Sequence, residues 1–484
     1  MPEDQQEQGD ANRVIELTMS GDSLSPEEAA ALEKTLDKNP LDLDSRILLL
    51  GYYWRRKYKS PEVREVRIKH IAWFVDNRPE HRVAGLSQMD VHQGIDSLRH
   101  YIDIRARWNA QIASHQSDID VLYNAAQFFF LQEKEIAEQC FLRAKELDTH
   151  NPKWFERLAH LYKLWGTSYE MQALDECERC LDMTTNPDEE FDVLRKLPEL
   201  AFAANDIDKA VNYANRVLTL SETHKEHFVF GFAVQAAHTT LGRVALKNGD
   251  VDKANYHLLQ SLPRAADAQQ MYIGQPERQL VAEIFDAGER ESVLKWLDLC
   301  SSFVKVEEWR EKIEKGESPW TYMRQEKHKY FNLSRLPRSA FNKGQWEQAK
   351  HAAEEFFELA KMYRDDERHY GFGMHTAHVV LGQLALRVGD RESAKLHLKE
   401  AGSVAQAERL AEQGPDMRLA MDLLLLGEKD LVLKFLKDCK RLWGDSADSA
   451  LLKDWTKDVK ACRVPADWVL LYSGRITLPG ESRE

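Results

Sequence analysis

The chain has 484 residues, more than one ordinary hydrophobic core accommodates, so we expect several domains or an extended array of repeats. Its formal net charge of −14 argues against a nucleic acid partner, because phosphate groups are repelled by an acidic surface. The sequence has no run of 18 apolar residues and no apolar signal segment at its N-terminus, and its six cysteines suit a reducing compartment, so we expect a cytoplasmic protein that does not bind membranes.

The N-terminal part of the chain is predicted to hold a polar or disordered segment, 1–24, followed by a helical repeat region, 25–196. Ser25 is a typical helix N-cap and is followed by Pro26, a residue favoured in the first turn of a helix. Residues 121–148, VLYNAAQFFFLQEKEIAEQCFLRAKELD, contain two stretches with apolar residues at helical spacing. The region is therefore predicted to consist of antiparallel helix pairs.

Three consecutive phenylalanines, Phe128, Phe129 and Phe130, lie in the first of these stretches. Successive side chains of a helix project about 100° apart, so the three rings cannot all face one core. At least one ring is covered by an adjacent helix or offered to a partner. Phe129 and Phe130 are accordingly candidate partner-binding residues.

The second half of the chain contains an internal repeat. Residues 228–262 align without gaps on residues 368–402, with thirteen of the 35 positions identical, and the similarity extends on both sides. This predicts two modules, module 1 (197–335) and module 2 (336–463). The remaining residues, 464–484, form a C-terminal tail that begins with short β-like runs.

Each module is predicted to consist of successive helix hairpins. In AHTTLGRVALKNGDVDKANYHLLQS, the small residues Gly242, Ala245 and Ala254 lie where two helices must approach closely, and Gly249 lies in the turn. The pattern resembles the tetratricopeptide repeat, L-G-x2-Y followed by A-x3-F. Segments such as KNPLDLDSRILLLGYYWRR and NAAQFFFLQEKEIAEQCFLRAKELDTHNPKW look like those of bacterial tetratricopeptide proteins of uncharacterised function. The resemblance implies an all-α fold, a right-handed superhelical solenoid of antiparallel helix hairpins.

The resemblance also implies a binding surface on the first helix of each hairpin, which lines the concave wall of such solenoids. Candidate residues are Arg243 and Lys247 in module 1, with Gln383 and Arg387 as their equivalents in module 2. Lys247 and Arg387 keep a positive charge at one position, which suits an acidic peptide or a C-terminal carboxylate. The same charge is also explained as a solvated basic residue at a helix end. We therefore expect a protein-binding scaffold or regulatory adaptor without catalytic residues or cofactor.

The histidines leave a second function open, a metal-dependent or small-molecule-binding helical enzyme. His224 and His227 are three residues apart, as are His375 and His378, so each pair shares one helix face and could bind a metal. Against this, the signature H-E-x-x-H of zinc proteases is absent from the sequence. Structural packing of the histidines is the favoured interpretation.

Two other groups of residues could be interpreted as catalytic or metal-binding sites but are predicted to pack in the core. His238 and His257 recur as His378 and His397 in module 2, at hairpin positions that face a neighbouring helix. The lone C-x2-C motif, Cys177 and Cys180, offers only half of the four ligands that a zinc site needs, and free cysteine packs as a small apolar residue.

Overall fold

The computed structural model describes residues 3–165, 169–262, 275–301, 306–319, 330, 333–364, 366–404, 410, 414–443 and 448–472. Every regular element in these ranges is a helix, and none of their residues lies in a strand. The all-α fold predicted from the sequence is confirmed. Within the same ranges, no helix is both long and apolar enough to cross a membrane.

The chain divides into two compact units, which are described separately. Unit 1 combines Met1–Leu147 with Leu333–Glu484, and unit 2 is Asp148–Asn332. The first part of unit 1 contains α1 (Glu3–Gly21), α2 (Pro26–Lys38), α3 (Leu43–Arg56), α4 (Pro61–Asn77), α5 (Gln93–Asp96), α6 (Leu98–Ser114), α7 (Ile119–Phe129) and α8 (Lys134–Leu147), with short 3-10 helices at Arg82–Gly85 and Ser87–Met89. Its second part contains α19 (Leu336–Asn342), α20 (Trp346–Lys361), α21 (Glu367–Arg387), α22 (Arg391–Ser403), α23 (Arg418–Leu425), α24 (Lys429–Trp443), α25 (Asp448–Lys460) and α26 (Ala466–Tyr472). Unit 2 contains α9 (Pro152–Trp165), α10 (Glu170–Asp182), α11 (Pro187–Leu194), α12 (Leu197–Ala203), α13 (Ile207–Ser221), α14 (Phe230–Lys247), α15 (Val251–Gln260), α16 (Gln275–Asp286), α17 (Arg290–Cys300) and α18 (Glu307–Glu314).

The predicted start of α2 is confirmed by a capping box. The Ser25 hydroxyl accepts a hydrogen bond from the backbone N–H of Glu28 at 3.1 Å, and the Glu28 carboxylate accepts one from the Ser25 N–H at 2.7 Å. Two backbone donors that the helix cannot satisfy internally are thereby paired, which is worth about 1 kcal/mol.

Most of the predicted N-terminal segment, 1–24, forms α1, which is a polar helix rather than a disordered stretch. This helix packs on α3 through two glycines. A Cβ atom at Gly21 would collide with the carbonyl oxygen of Leu48, and one at Gly51 would collide with that of Thr18. Close contact between the two backbones therefore holds a polar helix that has little hydrophobic pattern of its own.

The two predicted modules have the same order of helices. The hairpins α12–α13, α14–α15 and α16–α17 of module 1 correspond to α19–α20, α21–α22 and α23–α24 of module 2. Gly249 and Gly389 end α14 and α21 with φ angles of 76° and 80°, a backbone conformation that glycine adopts without strain. The shared helix order agrees with the alignment, while an origin by duplication and the module boundaries stay predictions.

The predicted close helix crossings at Gly242 and Gly382 are confirmed. A Cβ atom at Gly242 would lie 2.7 Å from Cδ2 of Leu280 on α16. At Gly382 it would collide with Cδ2 of Leu419, the corresponding residue of α23. In both modules the first helix of one hairpin thus touches the first helix of the next at a glycine.

The C-terminal tail departs from the β-like runs expected for its first residues, since α26 is helical. Trp468 of this helix has no exposed surface and meets Trp455 of α25 edge to face, with ring centroids 5.7 Å apart. Leu98 and Ile102 of α6 belong to the same hydrophobic cluster. Burial of Trp468 against existing helices favours a helix over an isolated strand, which would have no partner for its backbone. The predicted tail beyond 472 lies outside the described residues.

Candidate partner-binding surface

The first helices of successive hairpins pack directly on one another in each module. In unit 2, α14 packs between α12 and α16, and in unit 1, α21 packs between α19 and α23. Polar and aromatic side chains at these joints form what we call the first-helix surface of each module. In module 1 it comprises Phe202, Asn205, Arg243, Lys247 and Glu283, and in module 2 it comprises Arg338, Trp346, Gln383, Arg387 and Asp422.

Arg243, a predicted binding residue, is held inside the first-helix surface of module 1. Its Nη2 lies 2.9 Å from Oε1 of Glu283 on α16, and its Nε also donates to that carboxylate. The guanidinium lies over the ring of Phe202 on α12, 4.3 Å from the ring centroid. With 19% of its side chain exposed, Arg243 connects three first helices and has little charge left for a partner.

Lys247, four residues further along α14, is exposed. Its Nζ donates to Oδ1 of Asn205 at 2.5 Å, in the turn that connects α12 with α13. Asn205 has a φ angle of 62°, a conformation that asparagine tolerates better than most residues. Among the described residues no carboxylate pairs with Lys247, so its positive charge is held in place but not neutralised.

Gln383, the aligned equivalent of Arg243, is buried with 8% of its surface exposed. Its Oε1 accepts from Nη1 of Arg338 on α19, and its Nε2 donates to Oδ2 of Asp422 on α23 at 2.6 Å. The prediction that Gln383 contacts a partner is therefore corrected, because both ends of its amide are used between helices.

Asp416, just before α23, completes this polar network in module 2. Its Oδ2 lies 2.9 Å from Nη2 of Arg338 and 2.9 Å from Nη1 of Arg418. Burial alone would raise the pKa of Asp416, but the two guanidinium groups outweigh it and hold the pKa well below the usual range. The carboxylate is consequently ionised at neutral pH.

Arg387, the aligned equivalent of Lys247, is also exposed. Its guanidinium lies over the indole of Trp346, 3.6 Å from the ring centroid, at the start of α20. Sequence reasoning did not find Trp346 or Asn205. Both residues lie in the aligned segments upstream of the repeat. Asn205 is in the α12–α13 turn and Trp346 follows the α19–α20 turn, and each contacts the end of the next first helix.

The phenylalanine run is enclosed more completely than expected. Phe129 has no exposed surface, and Phe128 stacks on Tyr101 with ring centroids 5.8 Å apart. Phe130 is half-buried, with its ring 6.1 Å from that of Phe141. The prediction that Phe129 binds a partner is corrected, because Phe129 has no exposed surface, and Phe130 keeps only a partial surface.

His375 uses both ring nitrogens to bind backbone within unit 1. Its Nδ1–H donates to the carbonyl oxygen of Ala401 at 3.1 Å, and its Nε2 accepts from the N–H of Asp416 at 2.9 Å. Burial lowers the pKa of this histidine, so the neutral ring is favoured. With both nitrogens occupied, His375 has no lone pair to offer a metal or a substrate.

The other histidines that suggested an enzyme are also engaged locally. His224 stacks on Phe191 at 4.9 Å between ring centroids, and its Nδ1–H donates to the carbonyl oxygen of Leu220 at 2.9 Å. His227 Nδ1 accepts from the N–H of Val229 at 3.4 Å. In the part of the chain that the structure describes, no three metal-binding side chains come together.

The recurring histidines contact each other rather than only their neighbours. His238 and His257 approach with their Nδ1 atoms 3.0 Å apart, and His378 and His397 with theirs 2.9 Å apart. The packing role predicted for them is thus a specific pairing of two imidazoles across each hairpin.

The cysteines of the C-x2-C motif are core residues, as predicted. Cys177 and Cys180 are buried, and their thiols point to the carbonyl oxygens of Val193 and Pro152. Burial raises the pKa of Cys177 to about 12 and that of Cys180 to about 11, which keeps both thiols protonated. A protonated thiol is a poor metal ligand and a poor nucleophile.

A small cavity lies beneath the first-helix surface of module 1, between α12, α14 and α16. Its volume of about 20 Å³ is enough for about one water molecule. Glu199, Thr239 and Arg243 are among the residues that line it. The cavity is too small to hold a substrate. A ligand that binds module 1 at this place would therefore contact its outer surface.

No family model and no curated protein matches the chain. The chain is similar to the solved structure of the TPR domain of P58(IPK) over 74% of its own length and 92% of that chain, with 12% identity and a TM-score of 0.20. Similarity to Naa15/Naa10 bound to HypK-THB covers 95% of this chain and 73% of that one, with 14% identity and a TM-score of 0.27. Similarity to a circular tandem repeat protein covers 93% and 96%, with 12% identity and a TM-score of 0.15. At these identities and TM-scores the similarities carry no argument about this chain, and what its own structure shows is an all-helical fold.

Proposed function

We propose that this protein is a protein-binding scaffold, and that each module holds an acidic segment of a partner at the end of its first-helix surface. The observation that carries the proposal is the pair of exposed cations at one aligned position, Lys247 and Arg387. Each is fixed by a contact to the preceding hairpin, with Asn205 in module 1 and Trp346 in module 2. A cation that is already positioned loses less conformational freedom when it binds a carboxylate.

The surrounding residues support an extended partner rather than a small molecule. Arg243 and Gln383 are committed to contacts between helices, so they make the surface rigid without supplying charge to it. An acidic peptide laid along such a surface gains charge-assisted hydrogen bonds at fixed positions. Within each module the cation and the rigid joint beside it form the proposed site.

The test measures binding of a labelled oligo-glutamate peptide by fluorescence anisotropy. The double variant Lys247→Glu with Arg387→Glu is expected to weaken binding about tenfold, equivalent to about 1.4 kcal/mol. Its melting temperature should stay nearly unchanged, because exposed charges contribute little to stability. Added salt should weaken the wild-type complex, since the Debye length is about 8 Å at physiological ionic strength.

A matched control changes the same net charge on the second helices of the same hairpins. Lys253 on α15 and Lys399 on α22 are both exposed, and the double variant Lys253→Glu with Lys399→Glu should bind the peptide almost as the wild type does. Equal weakening by the two double variants would mean that only the net charge matters. That result, or no weakening by either variant, would overturn the proposed site.

A further inference from the structure

Each module contains two imidazoles that face each other between the two helices of one hairpin. His238 on α14 meets His257 on α15, with ring centroids 5.3 Å apart and ring planes at 37°. His378 on α21 meets His397 on α22 with nearly the same geometry, 5.2 Å and 48°. The Nδ1 atoms are at hydrogen-bonding distance in both pairs, 3.0 and 2.9 Å.

The short distance between the two Nδ1 atoms leaves room for only one proton between them. A hydrogen bond between two Nδ1 atoms requires one of them to carry the proton and the other to offer its lone pair. If the accepting ring becomes protonated, the lone pair is lost and two positive rings face each other at about 3 Å in a poorly hydrated place. The contact is therefore attractive with one shared proton and repulsive with two.

The histidine of the second helix also lies at the crossing with the next hairpin. In module 1, a Cβ atom at Gly242 would be 3.4 Å from Cβ of His257, on the side where Leu280 of α16 packs. In module 2, the corresponding distance from Gly382 to Cβ of His397 is 3.0 Å. The Cβ atom of each second-helix histidine therefore lies beside the glycine contact that joins successive first helices.

We propose that the two histidine pairs are proton-sensitive clasps, which close the hairpins α14–α15 and α21–α22 while one proton is shared and loosen them when both rings become protonated.

Burial and the neighbouring imidazole act together in the direction that the proposal requires. Burial, followed by the charge of the partner ring, lowers the pKa of His238 and of His378 to about 4. Burial also lowers the pKa of His257 and of His397. A histidine whose pKa is lower in the folded chain than the unfolded value of about 6.5 stabilises the fold fully above that value. Its contribution is lost as the pH falls from about 6.5 towards 4.

Few other charged groups act on the first pair. Lys253 on α15 lowers the pKa of His257 further. Among the described residues, α12, α13 and α16 bring no charged group that acts on it.

The second pair has more charged neighbours. Lys361 of α20 and His375 of α21 oppose protonation of His378, while Glu400 of α22 and Asp390 at its N-cap favour protonation of His397. Among the described residues, α19, α23 and α24 bring no charged group that acts on this pair. The two pairs thus differ in the charged groups that surround them.

The experiment follows amide hydrogen exchange at pH 7.5 and 5.0, corrected for the intrinsic effect of pH. In the wild type, peptides from 230–260 and 367–403 should exchange about tenfold faster at pH 5.0. This is the change in the opening equilibrium expected when the histidine pKa differs by about one unit between the closed and the open hairpin. In the double variant His257→Asn with His397→Asn, this acceleration should be clearly smaller, because the asparagine amide can still bond the remaining Nδ1 but carries no charge, so only the effect of burial on His238 and His378 remains. The variant His115→Asn, at an exposed histidine after α6, should keep the wild-type response.

Equal acceleration in the wild type and in the double asparagine variant would overturn the proposal, as would a wild type without acceleration in these two segments. A second measurement does not depend on any variant folding. NMR titration of the wild-type imidazoles should give apparent pKa values for both pairs below about 6.5, the usual value of histidine, and titration of both pairs at that value would overturn the proposal.

Discussion

At the joint between successive first helices, module 1 has the ion pair of Arg243 with Glu283, and module 2 has at the aligned positions the hydrogen bond of Gln383 with Asp422. The loss of one cation in module 2 is made up by Arg338 on the preceding helix, which contacts Gln383. The positive charge is thus kept at the joint while its position in the sequence changes. A single aligned residue does not reveal this exchange, which is why Arg243 and Gln383 could be taken for binding residues.

At the exposed ends of the two first-helix surfaces, the charged position is kept and the contact that holds it differs. Lys247 and Arg387 keep their charge and their position, but the first is held by a hydrogen bond to Asn205 and the second by stacking on Trp346. The residues that connect the first helices therefore differ together between the two modules. The exposed positive charge is the same in both modules, although a different contact holds it in each. Three sets of substitutions test this comparison.

The largest effect is expected at the glycine crossings. Gly382→Leu should destabilise module 2 by about 3 kcal/mol or more and Gly242→Leu should destabilise module 1 by about 1–3 kcal/mol, because both overpack a helix contact. The difference follows from the tighter approach of Leu419 and His397 to Gly382. Urea unfolding of the two variants checks the order. Equal costs would mean that the two crossings are equally tight, and a variant that unfolds like the wild type would contradict the close crossing at its site.

A smaller effect is expected when one carboxylate is neutralised in each module. Asp416→Asn should cost about 2–3 kcal/mol because it leaves Arg338 and Arg418 without their shared partner, less than for a fully buried pair since a fifth of Asp416 is exposed. Glu283→Gln should cost less than about 1 kcal/mol, as its ion pair is more exposed. Chemical denaturation at neutral pH measures both.

The pH dependence of the Asp416→Asn variant checks the direction in which the charge of Asp416 acts. Because the pKa of Asp416 is lower in the folded chain, its contribution is complete above about pH 4 and is lost on acidification below it. The stability gap between wild type and Asp416→Asn should therefore narrow at low pH. A gap that stays constant from pH 7 to 3 would mean that the Asp416 charge does not stabilise the fold.

The smallest effect concerns the two exposed cations. A double-mutant cycle of Arg387→Gln with Trp346→Leu should give a coupling of about 0.5–1 kcal/mol, the usual strength of an exposed cation–π contact. The cycle of Lys247→Gln with Asn205→Gly should give less than about 0.5 kcal/mol; glycine is chosen because it accepts the φ angle of 62° at this position. A larger coupling in module 1 would reverse our ranking of the two contacts.

The sequence by itself determined the helices, the glycine crossings and the core positions of the cysteines. These features follow from local regularities: apolar residues at helical spacing, glycine where backbones must touch, and Ser25 where a helix must begin. Periodicity failed at α1 and α26, whose short or polar sequences become helical through contacts that lie elsewhere in the chain. Gly21 can be recognised as a contact residue only when α3 is beside it.

Tertiary structure alone decided which polar side chains are available to a partner. Arg243 and Lys247 lie four residues apart on one helix and are alike in charge, yet one is enclosed by Glu283 and Phe202 while the other faces solvent. The difference arises because the partners of Arg243 lie on the preceding and the following first helices. They are too far from Arg243 in the sequence for helical spacing to indicate the contact. The same reason explains why the sequence showed that His238 recurs but only the fold showed that it faces another histidine.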